Sequence, residues 1–148
     1  MTVNEVIKLN DQIIDVWNKH DIGAFDKYYD SNVVWKDTGS QEPYKGLQGA
    51  KDFYNNWLTA FPDLKINAVN KVASEDSIAV EVEFTGTNRG PLKVSKDTPE
   101  IPATNKVVAS KGSYFAKFRN GKCIEVHSYP DLTGMMQQLG LMQEVMHG

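Results

Sequence analysis

The sequence has one cysteine, Cys123, in 148 residues. No disulfide can therefore close within the chain, which fits a reducing compartment. Arginine occurs only at Arg89 and Arg119, and the other positive charges are lysines scattered along the chain, which carries a net charge of −3. With no basic cluster or RNA-reading motif, nucleic acid is not an expected partner. The only histidines are His20, His127 and His147, with no ligand-like spacing among them, so no metal site is expected. No apolar run could span a bilayer. The opening "MTVNEVIKLNDQIIDVW" mixes polar and apolar residues from the start and lacks the apolar core of a secretion signal. The expectation is a cytoplasmic protein with no membrane partner. Gly-rich phosphate loops, a defensible Ser-His-Asp arrangement, internal repeats and low-complexity linkers are also missing. What remains is an ordinary globular composition, 41% hydrophobic and 24% charged, sized for a single domain over residues 1–148.

Hydrophobic periodicity divides the chain in two. Val6, Leu9, Ile13, Val16 and Trp17 recur at helical spacing, predicting a helix over about residues 4–19. "NKHDIG" breaks it, and Asp21 is placed to cap a short second helix carrying Phe25, Tyr28 and Tyr29. "NVVWKD" reads as a short strand and "TGSQEPYKG" as a loop. A third helix over about residues 47–61 shows Ala50, Phe53, Tyr54, Trp57, Leu58 and Phe61 on one face, and Pro62 stops it. The period then changes to two. "LKINAVNKV", "SIAVEVEF", "KVVASKGSYFAKF" and "CIEVHSY" read as strands, the last two joined by the Asn-Gly hairpin signal of "RNGK". The long, Pro-rich "NRGPLKVSKDTPEIPATN" reads as a rim loop, and a short amphipathic helix follows Asp131.

Helices first and an antiparallel meander after them define an α+β domain. A strongly curved sheet wrapped around the helices makes a cone-shaped barrel with a pocket inside. Trp17, Trp35, Phe53, Tyr54, Trp57, Phe84 and Tyr114 are its expected aromatic lining, although rings in such positions also serve simply as core. Ala79, Val107, Ala109 and Phe115 fall on the solvent side of the strands, enough apolar surface to expect a homodimer through sheet-to-sheet contact. Light scattering at micromolar concentration tests that expectation, and a clean 16.6 kDa species would end it.

Four stretches in order carry a family likeness: "VWNKHDIGAFDKYYDSNVVWKD", "GLQGAKDFYNNWLTAFPDLKI", "GTNRGPL…IPATNK" and "NGKCIEVHSYPDLTGMMQQLG". Together they resemble the SnoaL-like polyketide cyclase (ester cyclase) family of the nuclear transport factor two-like superfamily. The likeness spans about residues 13 to 140, and "AFPDL" is its most telling piece. Asn88 stands where the family usually has histidine, "PATN" replaces "PPTG", and His127 falls where tryptophan is common. The polar furnishing of the pocket therefore differs, and substrate identity does not carry over.

The resemblance implies a cofactor-free intramolecular aldol closure on a small apolar or aromatic carbonyl compound. In that scheme an aspartate, matched here by Asp131, removes a proton from carbon and returns it to the new alcohol. A carboxylate near its ordinary pKa of about 4 is a feeble base at neutrality, so the scheme needs a desolvated Asp131 facing the pocket. Donors for the developing enolate oxygen are sought among His127, Tyr114, Tyr129 and Asn88. A competing reading makes Asp131 the N-cap of the helix that follows, bonded to backbone N–H groups that would lower its pKa. Asp37, which ends "VVWKD", sits roughly where ketosteroid isomerases on the same superfamily fold keep their base, but "KDTGSQEP" reads well as a solvated loop. Two further functions stay open: an epoxide hydrolase or dehydratase-like enzyme, which needs a second ionisable group near the acid, and a binding module without catalysis.

Overall fold

Helix α1 runs from Val3 to Asn18. Thr2 caps it by accepting from the backbone N–H of Glu5 at 3.1 Å, and Val6, Leu9, Asn10, Ile13, Val16 and Trp17 form its buried stripe. It ends in a Schellman motif. The amide of His20 donates to the Trp17 carbonyl and that of Asp21 to the Val16 carbonyl, with His20 itself in the left-handed conformation at φ 57°. The "NKHDIG" break thus has a backbone cause. Asp21 does not cap the next helix through its side chain, which corrects the expectation for that residue. A 3-10 turn over Ile22–Ala24 leads into the single turn of α2, Phe25–Tyr28.

In the computed structural model, which describes residues 1–95 and 98–142, Tyr29 opens a strand instead of closing a helix. Strand β1 spans Tyr29–Asp37 and is longer than its sequence signal, while β2 is the two-residue Tyr44–Lys45 inside the expected loop. Helix α3 (Gly46–Ala60) buries Ala50, Phe53, Tyr54 and Trp57 against β1. The meander follows as β3 (Lys65–Ala73), β4 (Ser77–Thr87), β5 (Val107–Arg119) and β6 (Lys122–Pro130), and α4 (Leu132–Gln138) closes the described chain. Asn120 and Gly121 both take positive φ between β5 and β6, as a two-residue primed turn requires.

The six strands form one open sheet in the order β2-β1-β6-β5-β4-β3. Every pairing is antiparallel except one: β1 runs parallel to β6. The sheet is therefore mixed, because the chain leaves β1 through α3 and returns to the neighbouring position only at its far end. The helices cover its concave face, giving the α+β cone. Asn88 bonds to Ala60, Gly90 and Thr104, tying the start of the rim loop to the end of α3 and to the loop's own far side. The loop is pinned further by a bridge between Leu92 and Ile101.

Aromatic rings dominate the core between α1, α3 and β1. Trp17 meets Tyr54 edge-on at 4.7 Å, Phe25 packs against Tyr29 at 5.0 Å, and Trp35 stacks on Phe53 at 4.6 Å. Phe25 and Tyr54 are fully buried. Ala79, Val107, Ala109 and Phe115 lie exposed on the outer sheet face.

Candidate functional site

Alternation along β1 sends Val33, Trp35 and Asp37 to the concave side of the sheet, and all three are buried. Asp37 is 4% exposed. Its Oδ1 accepts from the Ser128 hydroxyl at 2.5 Å and its Oδ2 from the Gly39 amide at 3.0 Å. Ser128 lies directly across the β1–β6 pairing from Asp37, and its hydroxyl also accepts from the Trp35 indole N–H at 3.0 Å. Since an indole can only donate, the Ser128 proton is committed to Asp37. Burial is the main influence on this carboxyl and raises its pKa, with the bonds from Ser128 and Gly39 opposing it. Among the described residues no ion pair offsets the charge.

Asp37 opens on a cavity of about 130 Å³ between α1, α3, α4 and the sheet. Trp17, Trp35, Phe53, Trp57, Phe84 and Tyr114, all expected there, line it. Its wall is almost wholly apolar. An apolar cavity of about 150 Å³ accommodates benzene, so this hollow suits a single ring or a chain of similar bulk. Polar residues interrupt the wall at few places: Asp37 with Ser128, Tyr114 with Asn10, and Ser110, Lys111 and Ser113 along β5. The Tyr114 hydroxyl donates to Asn10 Oδ1, and burial pushes its pKa far up, so it stays protonated. Cys123 also faces the cavity, its thiol pushed up to about 12 by burial, which leaves it inert as a nucleophile.

Other expected site residues lie elsewhere. Asp131 is exposed and its Oδ1 accepts from the Gly134 amide at 2.9 Å, capping α4; it is not in the cavity wall. The requirement that it face the pocket is therefore corrected: Pro130 is the last wall residue of β6, and the Asp131 carboxyl turns back onto the first turn of α4, whose Met135 lines the cavity instead. Replacing Asp131 with alanine should cost about 1 kcal/mol of stability, the usual loss for a cap. Chemical denaturation checks this, and a change below about 0.3 kcal/mol would argue against the cap.

His127 and Tyr129 sit on the outer face. His127 Nε2 lies 3.1 Å from Glu125 Oε1 and its ring meets Phe115 edge-on, while Tyr129 is 50% exposed. The bond from His127, followed by the charges of Lys117 and Lys36, holds the Glu125 carboxyl below the usual range. The reason for the reversed parity is a bulge. Phe118 pairs with Cys123 but Lys117 pairs with Glu125, so Ile124 is an extra residue. It moves Val126, Ser128 and Pro130 inward instead of His127 and Tyr129.

Tyr54 stands behind the wall, donating to the Trp17 carbonyl at 3.0 Å, with burial pushing its pKa to about 12. Asn88 is buried with both ends of its amide committed to the rim loop and α3, so it does not furnish the cavity. His20 bonds the Leu64 carbonyl at 3.0 Å, a structural role, and His147 lies outside the described residues. Among those residues no group of three or more His, Cys, Asp or Glu side chains is placed to hold a metal ion, and no helix is long and apolar enough to cross a membrane.

Helices packed on an open mixed sheet in this order make the α+β cone of the SnoaL-like domains. The family profile of the SnoaL-like polyketide cyclases matches residues 7–139, and the chain belongs to that family. Solved structures of the same fold include a candidate SnoaL-like polyketide cyclase from Jannaschia sp. CCS1, with a TM-score of 0.81, 17% identity and 92% of each chain covered. A SnoaL-like polyketide cyclase from Agrobacterium tumefaciens C58 matches with a TM-score of 0.74 and 22% identity over 95% of this chain and 99% of the other. At such identities the likeness speaks for the fold. No curated protein matches the sequence.

Proposed function

We propose that this protein is a cofactor-independent acid/base enzyme acting on a small apolar carbonyl compound, with Asp37 as the group that takes and returns the proton. The observation that carries this reading is a nearly water-free carboxyl at an apolar hollow, held from behind by Ser128 and Gly39. Desolvation strengthens the carboxylate as a base by raising the pKa of its conjugate acid toward neutrality. Ser128, fixed by Trp35, orients one oxygen and prevents rotation of the carboxyl.

In the step proposed, the carbon next to a carbonyl gives its proton to Asp37, and the bonding pair moves onto the carbonyl oxygen as an enolate. The protonated Asp37 then returns the proton, either to a more distant carbon of the conjugated system or to the alkoxide formed when the enolate carbon attacks a second carbonyl. The first outcome is an isomerisation and the second a ring closure. Both conserve the proton and use no oxidant or reductant.

Isomerisation of 3-cyclohexenone to 2-cyclohexenone tests the reading with a probe matched in bulk to the cavity. Its progress is followed by the ultraviolet absorbance of the conjugated product. The expected result is a saturable rate well above that of acetate buffer at equal carboxylate concentration. A rate no greater than the buffer's, with the ketone nevertheless bound, would make the protein a binding module.

A further inference from the structure

We propose that Asn10 is the hydrogen-bond donor that receives the ligand's carbonyl oxygen, across the cavity from Asp37. Asn10 interrupts the apolar stripe of α1, is 1% exposed and lines the cavity. Its Oδ1 accepts from Tyr114, but its Nδ2 has no partner among the described residues. A buried donor left unpaired loses its hydration without compensation, a loss that a leucine at this position would avoid. An occupant of the cavity that carries an acceptor removes the cost.

The orientation of the amide follows from its neighbour. A protonated, buried tyrosine hydroxyl needs an acceptor, and Asn10 Oδ1 is the one that Tyr114 has among the described residues. That leaves the N–H end of the amide free.

The sheet register places this donor in line with the acid. Tyr114 pairs with Ser128 across β5–β6, and Ser128 pairs with Asp37 across β6–β1. The three residues form one row on the concave face, so Tyr114 and Asp37 stand two strand spacings apart, about 10 Å between Cα atoms. Asn10 hangs from α1 onto the Tyr114 end of that row. A ligand bridging the row presents its acidic carbon to Asp37 and its oxygen to Asn10, where the amide meets the negative charge of the enolate. Ser110 Oγ is also buried and unpaired in the cavity wall. It lies four residues along β5 from Tyr114, about 13 Å at the usual rise, and so off the row.

This inference deepens the acid/base reading, yet its test needs no turnover. Binding of 2-cyclohexenone and of cyclohexene, alike in shape but differing in the oxygen, is measured by NMR titration of wild type and of Asn10→Leu. Wild type should bind the ketone about tenfold tighter than the alkene, and Asn10→Leu should lose that tenfold while keeping its affinity for the alkene. In wild type the Asn10 side-chain N–H signal should shift with the ketone and stay with the alkene, a readout that survives even if Asn10→Leu fails to fold. Equal loss of both ligands, an unchanged ketone affinity, or an unmoved Asn10 signal would overturn the proposal. Ketone binding through Asn10 without isomerisation would instead remove the enzyme reading and leave this one standing.

Discussion

Asp37→Asn is expected to lower the rate of 3-cyclohexenone isomerisation by about 10²–10⁴-fold, the range that a positioned acid/base group contributes. Asparagine keeps the shape and can still accept from Ser128, but it cannot hold a proton for the substrate. One bond is lost, since a side-chain NH₂ cannot accept from the Gly39 amide that now meets Oδ2, at a cost of about 0.5–1.5 kcal/mol. The pH dependence has a definite sign. Because burial raises the folded-state pKa of Asp37, the folded protein holds that proton more tightly than the unfolded chain. The contribution of Asp37 to wild-type stability therefore declines as pH rises from the ordinary carboxylate value of about 4 through the raised one. The substituted amide does not ionise, so the variant's stability relative to wild type should increase across the same window. The turnover of wild type should rise with pH through that raised pKa, as a base must be ionised to act. A denaturation series in urea at several pH values, with the rate assay beside it, checks both. A variant that retains more than a tenth of the rate would remove Asp37 from the mechanism.

Phe25→Ala is expected to destabilise the fold by about 3–5 kcal/mol, the usual cost of emptying a buried aromatic position. Phe25 is 0% exposed and its ring lies 5.0 Å from Tyr29, 5.3 Å from Tyr54 and 6.4 Å from Trp17. Those neighbours belong to different elements, so the hole cannot be closed by shifting one of them. Trp17 and Tyr29 also form part of the cavity wall, which links the core to the site. Total stability of a domain is about 5–15 kcal/mol, so the loss is a large share of it. Urea denaturation measures it directly. A change under about 1 kcal/mol would mean that the aromatic cluster is not what holds α1 and α3 on β1.

The two periods in the sequence carried most of the fold. The helical stripe of α1 and the strict alternation of β4 and β5 both appear where the pattern puts them, because each buries one face only. The parallel β1–β6 contact was not legible, since nothing in a nine-residue strand states which distant strand it will meet. Asp37 was legible in part. Val33, Trp35 and Asp37 share parity, so burial of the first two carries the third inward, but the turn formers that follow it argued for solvent. Asn10 likewise sits at a stripe position between Leu9 and Ile13, a polar residue where an apolar one would fit. On β6, His127 and Tyr129 are candidate donors in the sequence yet face outward, because the single extra residue at Ile124 reverses the alternation that starts from the inward Cys123. A bulge has no dependable sequence signal, yet it exchanges every side chain beyond it between the two faces.

The central claim is that Asp37 is a carboxyl short of water beside an apolar hollow, and its protonation can be read without any substrate. Side-chain ¹³C NMR of the aspartates, with Asp37→Asn to assign the signal, follows each carboxyl through acid titration. Asp37 is predicted to titrate above the ordinary carboxylate value of about 4. A midpoint at or below that value would show a carboxylate content as an anion, held by Ser128 and Gly39 for structure alone, and would contradict the account.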